Sequence, residues 1–134
     1  MDEVENEYIR YWTIDGILMS EYKRETAVTL EKCKEIIDLR HQISKKQMQY
    51  WLYDMSRITE MPKDARDYAD KYGQDYLHAC AAVVDSSIAK FLYNVFANTK
   101  TPKIPLRAFT DTEKALTWLR EIKNTKTADD AACH

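Results

Sequence analysis

Histidine and cysteine have the widest chemical reach of any side chains, and this 134-residue chain holds three of each: His41, His78 and His134, and Cys33, Cys80 and Cys133. Their spacing gives them little to do together. No serine or cysteine stands at a recognisable interval from a histidine, so nucleophilic catalysis finds no pattern. No C-x-x-C pair and no histidine pair is present, which leaves neither a zinc site nor a disulfide framework. Catalytic residues, metal and cofactors are therefore all expected to be absent. Cys33 and Cys80 fall on apolar stretches, where a free thiol acts as a small hydrophobe, and Cys133 falls in a polar tail. Two glycines in the whole chain exclude a Gly-rich phosphate loop.

The remaining candidates are polar groups at expected strand-to-helix junctions. In open α/β sheets, ligand sites gather at the carboxyl ends of the strands, where helices begin. Three such junctions are readable: residues 54–64 with Asp54, Ser56, Lys63 and Asp64; residues 85–87 with Asp85, Ser86 and Ser87; and residues 109–111. At the second, unpaired helix N–H groups and two hydroxyls suit an anion. The same residues equally suit a plain helix start, Ser86 capping its own helix and Asp85 complementing the dipole. Asp54 is placed to accept from the N–H groups of residues 56–58, a structural role rather than a catalytic one. Tyr68, Tyr72 and Tyr76 follow at helical spacing and serve either the core or a partner-binding surface.

The elements that must position these groups can be read from period and turn chemistry. Residues 8–14 and 17–22 are β-branched and aromatic on both sides of Asp15-Gly16, a type I′ hairpin signal. Thr29 caps a helix whose apolar side holds Leu30, Cys33, Ile36, Ile37 and Ile43, ending near Ser44-Lys45-Lys46. Residues 48–54 read as a buried central strand, followed by a loop from 55 to 61. Pro62 opens a helix that Gly73 stops. Residues 79–84 form a strand of small residues. The next helix carries Ile88, Phe91, Leu92, Val95 and Phe96 as its apolar stripe. Pro102 and Pro105 bracket a loop into a last strand, residues 104–109. Thr110 and Glu113 form a capping box for the final helix, with Ala115, Trp118, Leu119 and Ile122 inward. The expected organisation is a flexible N-terminus over 1–7, one domain over 8–123 and a flexible tail over 124–134. The order implies an α/β fold: a mixed sheet of about five strands, antiparallel hairpin first, then parallel βα units covered by helices.

Composition narrows the function classes. Hydrophobic residues make 45% and charged residues 31%, a globular balance. Twenty Lys and Arg against 22 Asp and Glu give a net charge of -2, a poor footprint for nucleic acid. No apolar run reaches a membrane span, and the acidic start differs from a signal peptide. A cytoplasmic protein that binds neither nucleic acid nor membrane is expected.

Element order, together with Asp54-Met55-Ser56-Arg57-Ile58-Thr59-Glu60-Met61 after the central strand, resembles the STAS family, the fold of the sporulation anti-sigma-factor antagonist and of sulphate-transporter tails. The family continues with Asp-Ser-Ser-Gly at a helix start; here Pro62-Lys63-Asp64-Ala65 stands instead. Lys63 occupies the place of the family's phosphorylated serine and cannot accept a phosphoryl group. A closer resemblance is to small bacterial SpoIIAA-like proteins of unassigned function. It rests on the hairpin from Tyr8 to Leu18, the helix start Lys63-Asp64-Ala65-Arg66-Asp67-Tyr68, Val84-Asp85-Ser86, and the closing stretch from Phe109 to Leu119. The resemblance implies a STAS-like sheet. Two functional readings follow: a non-catalytic regulatory module binding a protein partner or a second copy of itself through the surface around Met55–Tyr72, or a carrier of a small apolar or anionic ligand. A cavity of several hundred Å3 would favour the carrier; a filled core beside an exposed apolar patch would favour the module.

Overall fold

The computed structural model describes residues 3–97 and 104–132. Pro102, Cys133 and His134 lie outside the described residues. The chain runs β1(Val4–Glu5), β2(Ile9–Ile14), β3(Ile17–Tyr22), β4(Thr26–Ala27), α1(Leu30–Ser44), β5(Gln49–Asp54), β6(Ile58–Glu60), α2(Lys63–Tyr72), β7(Leu77–Val83), α3(Ser87–Ala97), β8(Leu106–Phe109) and α4(Thr112–Ala132). Six strands form one sheet in the order β1-β2-β3-β5-β7-β8, and β4 pairs with β6 in a separate two-stranded sheet. β1, β2 and β3 are antiparallel; β3, β5, β7 and β8 are parallel.

The hairpin forms because Asp15 and Gly16 both reach positive φ, at 51° and 77°, which a type I′ turn demands. Alternation then sorts side chains to two faces. Leu18, Trp51, Cys80 and Ala82 face α1, α2 and α3. Ile17, Met19, Tyr50, Leu52, Ala79, Ala81 and Val83 face α4, which meets them with Ala115, Leu116 and Leu119. The small residues of β7 let helices come close on both sides. α4 reaches back to the hairpin, where Arg120 pairs with the Asp15 carboxylate at 2.9 Å and Lys123 Nζ donates to the Asp15 carbonyl at 2.6 Å.

Several expectations need correction. The sheet has six strands rather than about five, because Val4–Glu5 pairs with β2 inside the stretch expected to be flexible. Strand pairing is set by a distant partner, and ion pairs from Glu3 to Arg10 and from Glu5 to Lys23 flank it. α4 continues to Ala132, past the Lys123 expected to end it. The added residues include no glycine or proline to stop a helix. The loop after β5 contains β6, ordered by β4. Met48 lies outside its strand and is 52% exposed. The last helix is capped by Asp111, whose Oδ1 accepts from the Lys114 N–H at 2.9 Å, one residue later than the Thr110 box.

Candidate functional site

β5 and β7 end side by side, Asp54 opposite Val83. Just beyond, their loops are tied by hydrogen bonds. The Met55 N–H donates to the Val83 carbonyl at 2.9 Å. Asp54 Oδ1 accepts from the Ser56 N–H at 2.9 Å, and Ser56 Oγ accepts from the Asp85 N–H at 3.1 Å. Ser86 Oγ accepts from the Ala89 N–H at 3.0 Å and so caps α3, which begins at Ser87. Asp54, Ser56, Asp85, Ser86 and Ser87 therefore meet at one strand-end junction. Their hydrogen bonds are to backbone, and among the described residues no histidine or lysine is bonded to Ser56 Oγ in the manner of a general base.

Lys63 and Asp64 do not join them. Lys63 Nζ pairs with Asp67 one turn along α2 at 2.8 Å, with the Lys63 side chain 80% exposed. Asp64 Oδ1 accepts from the Ala65 N–H at 2.7 Å. β6, paired with β4, separates Asp54 from α2 along the chain, and the hydrogen bonds of Lys63 and Asp64 stay within α2.

Next to the junction, α3 turns an apolar face outward. Ile88 is 43% and Phe91 59% exposed, one turn apart. This corrects the expected stripe at Ile88 and Phe91, while Leu92 and Phe96 face inward as expected. The helix buries Ala89 and Leu92 and packs Tyr93 and Phe96 against the core. Ser87, Lys90 and Asn94 form a narrow polar stripe on α3. Ile88 and Phe91 fall on the flank between that stripe and the buried side, where periodicity alone does not decide burial. Tyr68 and Tyr72 meet at a tilt on α2, ring centroids 4.7 Å apart, Tyr68 partly packed on the core and Tyr72 at the surface.

Between the sheet and α1–α3 lies an apolar cavity of about 100 Å3, bounded by Cys33, Ile37, Trp51, Tyr53, Tyr93 and Phe96 among others. It is smaller than the roughly 300–1,000 Å3 usual for small-molecule sites. Burial pushes the Cys33 thiol up to about 11 and the Cys80 thiol to about 12, so both remain protonated near neutral pH. The Tyr22 and Tyr53 hydroxyls bond to each other, and burial raises both. Trp51 stacks on Tyr53 at 4.7 Å and donates from Nε1 to Ser20 Oγ at 2.9 Å.

The group that sequence reasoning missed is Arg40. It is fully buried, with its guanidinium 4.9 Å from the Trp51 ring. Nη1 donates to the Asp75 carbonyl at 3.0 Å and Nη2 to the Gly73 carbonyl at 3.1 Å, tying the end of α2 to α1. The signal was its phase: 33, 37, 40 and 44 share one helix side, and that side is buried at all four positions. Among the described residues no three His, Cys, Asp or Glu side chains converge as a metal site. No helix there is long and apolar enough to cross a membrane.

A parallel sheet entered through an antiparallel hairpin, with helices on both faces, is the SpoIIAA-like, or STAS-like, fold. An uncharacterised protein of the DUF3478 family from Shewanella loihica PV-4, described as having a SpoIIAA-like fold, superposes with a TM-score of 0.60 at 18% identity, over 87% of this chain and 98% of that one. Residues 11–123 match the family described as a domain of unknown function, DUF7793, and the chain belongs to that family. Comparison with curated proteins gives no match.

Proposed function

We propose that this domain is a non-catalytic interaction module that docks a protein partner on the outward face of α3, beside the Ser56–Asp85 junction. The observation that carries this reading is the exposure of Phe91 and Ile88 next to a rigidly hydrogen-bonded strand end. An aromatic anchor flanked by an aliphatic side chain and polar groups is the composition of a binding hot spot with its rim. The cavity behind α3 is small, and its cysteines are held as thiols, which supports binding over catalysis. Lys63 offers no hydroxyl and Ser56 already accepts a backbone hydrogen bond, so the surface is read constitutively rather than switched by phosphorylation. The test is photo-crosslinking in the native cell from a benzoylphenylalanine placed at position 91, compared with one at the exposed Thr117. A protein captured from position 91 alone supports the reading; a second copy of the chain is one such partner. Equal capture from both positions, or none from 91, overturns it.

A second reading, the carriage of a small apolar molecule, rests on the apolar lining of this cavity, although its volume of about 100 Å3 is small for it. Native mass spectrometry of protein purified from its own cell tests it. A stoichiometric added mass that disappears in Ala82→Trp supports carriage, and the bare chain mass opposes it.

A further inference from the structure

The base of the fold, where β5 and β7 begin, collects features that the proposed docking face leaves unused. The stretch from residue 39 to 53 contains Arg40, His41, Lys45 and Lys46 and no carboxylate. Among the described residues neither Lys45 nor Lys46 forms an ion pair. Both lysines line a cleft with about 430 Å3 of open space, together with His41, Gln42 and Tyr76. Three of its five lining residues hold left-handed backbone: Lys45 at φ 53°, Lys46 at 62° and Tyr76 at 62°. Lys45 is the left-handed C-cap of α1, its N–H donating to the His41 carbonyl, and Lys46 follows it. Tyr76 lies just before β7, so these turns fix the cleft's rim.

Three buried polar atoms without a partner lie in the same corner: His41 Nε2, Arg40 Nε and Gln49 Oε1. Their residues are linked through one turn. The His41 ring meets Tyr76 edge-on at 5.1 Å, the Gln49 N–H donates to the Tyr76 carbonyl at 2.9 Å, and Arg40 holds the carbonyls of Gly73 and Asp75. Helix-end lysines often serve only the helix dipole. Here two unpaired ammonium groups flank a cleft whose imidazole nitrogen lacks an acceptor, in a chain of net charge -2.

We propose that the His41–Lys45–Lys46–Tyr76 cleft binds a phosphate group, either free in solution or on a lipid headgroup. Two ammonium groups neutralise a dianion and donate charge-assisted hydrogen bonds. The imidazole supplies a further donor. His41 is held below its usual value by burial and by Arg40, with Asp75 and Asp38 opposing and Lys45 and Lys46 adjacent, so it rests neutral at pH 7. A bound dianion favours the imidazolium, and by linkage binding raises the His41 titration point. The site lies at the sheet edge opposite α3, and its failure would leave the docking reading untouched.

The test is a titration of the full 15N-labelled chain with inorganic phosphate at constant ionic strength, read by NMR. Saturable shifts at residues 41–48 and 76, with an upward move of the His41 imidazole titration, are expected. The Lys45→Ala/Lys46→Ala double variant, whose altered side chains are exposed and whose fold an unchanged unfolding midpoint verifies, should weaken binding by about tenfold or more. Lys34→Ala/Lys114→Ala, with exposed lysines elsewhere, should bind like the parent. Shifts that never saturate and spread over all surface lysines, or undiminished binding by the Lys45/Lys46 variant, overturn the proposal. Flotation with phosphatidylcholine vesicles, with and without phosphatidic acid, separates the sources. Lysine-dependent flotation on phosphatidic acid added to saturable binding assigns a headgroup, and saturable binding without flotation assigns a soluble phosphate. Flotation without saturable phosphate binding shows only surface charge attraction and overturns the site.

Discussion

At the residue scale, Arg40 is the least replaceable polar group. Arg40→Ala leaves the Gly73 and Asp75 carbonyls without their donors and opens a cavity beside Trp51. Loss of a buried donor and of side-chain volume together should cost about 2–5 kcal/mol, read as a lower urea midpoint with unchanged slope. Arg40→Lys, which keeps the charge without the two-pronged geometry, should fall between. His41 gives a pH signature. Burial holds its imidazole below the usual 6.5, so the unfolded chain binds this proton first as pH falls. Its contribution to stability is intact above about pH 6.5 and is lost as pH drops through the lower folded value. Urea midpoints taken down this range should fall less steeply in His41→Gln than in the parent. Ser86 was legible as a cap from its place before an apolar run, whereas Asp111 displaced Thr110 because both can cap and their sequence spacing does not rank them.

The elements were more legible than their faces. Asp15-Gly16 between aromatic strands and the small-residue strand around Ala81 left little choice of structure. β1, β4 and β6 were not legible, because two- and three-residue strands carry no period and exist through distant partners. α3 was recognised as a helix with Leu92 and Phe96 inward, but Ile88 and Phe91, at the flank of its apolar side, are exposed. The observed burial makes opposite demands on neighbouring positions. Leu92→Ala, at a buried position, should cost about 2–5 kcal/mol. Phe91→Ser, at a largely exposed one, should change stability by about 0.5 kcal/mol or less. Thermal or urea unfolding of the two variants checks this placement; a cost for Phe91→Ser as large as for Leu92→Ala would return Phe91 to the buried stripe read from periodicity.

For the whole molecule, the sheet separates two working edges. At the carboxyl ends of β5 and β7, backbone-bonded Asp54, Ser56 and Asp85 make a stiff platform for α3, and α3 presents Ile88 and Phe91. At the opposite edge lie the basic cleft and Arg40. The strand-end candidates could be placed from sequence because parallel strands deliver their loops to one edge. The local bonding of Lys63 to Asp67 and of Asp64 to the Ala65 N–H, which keeps both out of the Ser56–Asp85 network, could not. The central claim is that Phe91 anchors a protein partner. Its most direct measurement is the affinity of the purified partner, recovered by crosslinking at position 91, for the parent chain and for Phe91→Asp. A charge placed in a hot spot should weaken binding by about tenfold or more, about 1.4 kcal/mol, with the unfolding midpoint unchanged. Equal affinity for the two chains would contradict the account.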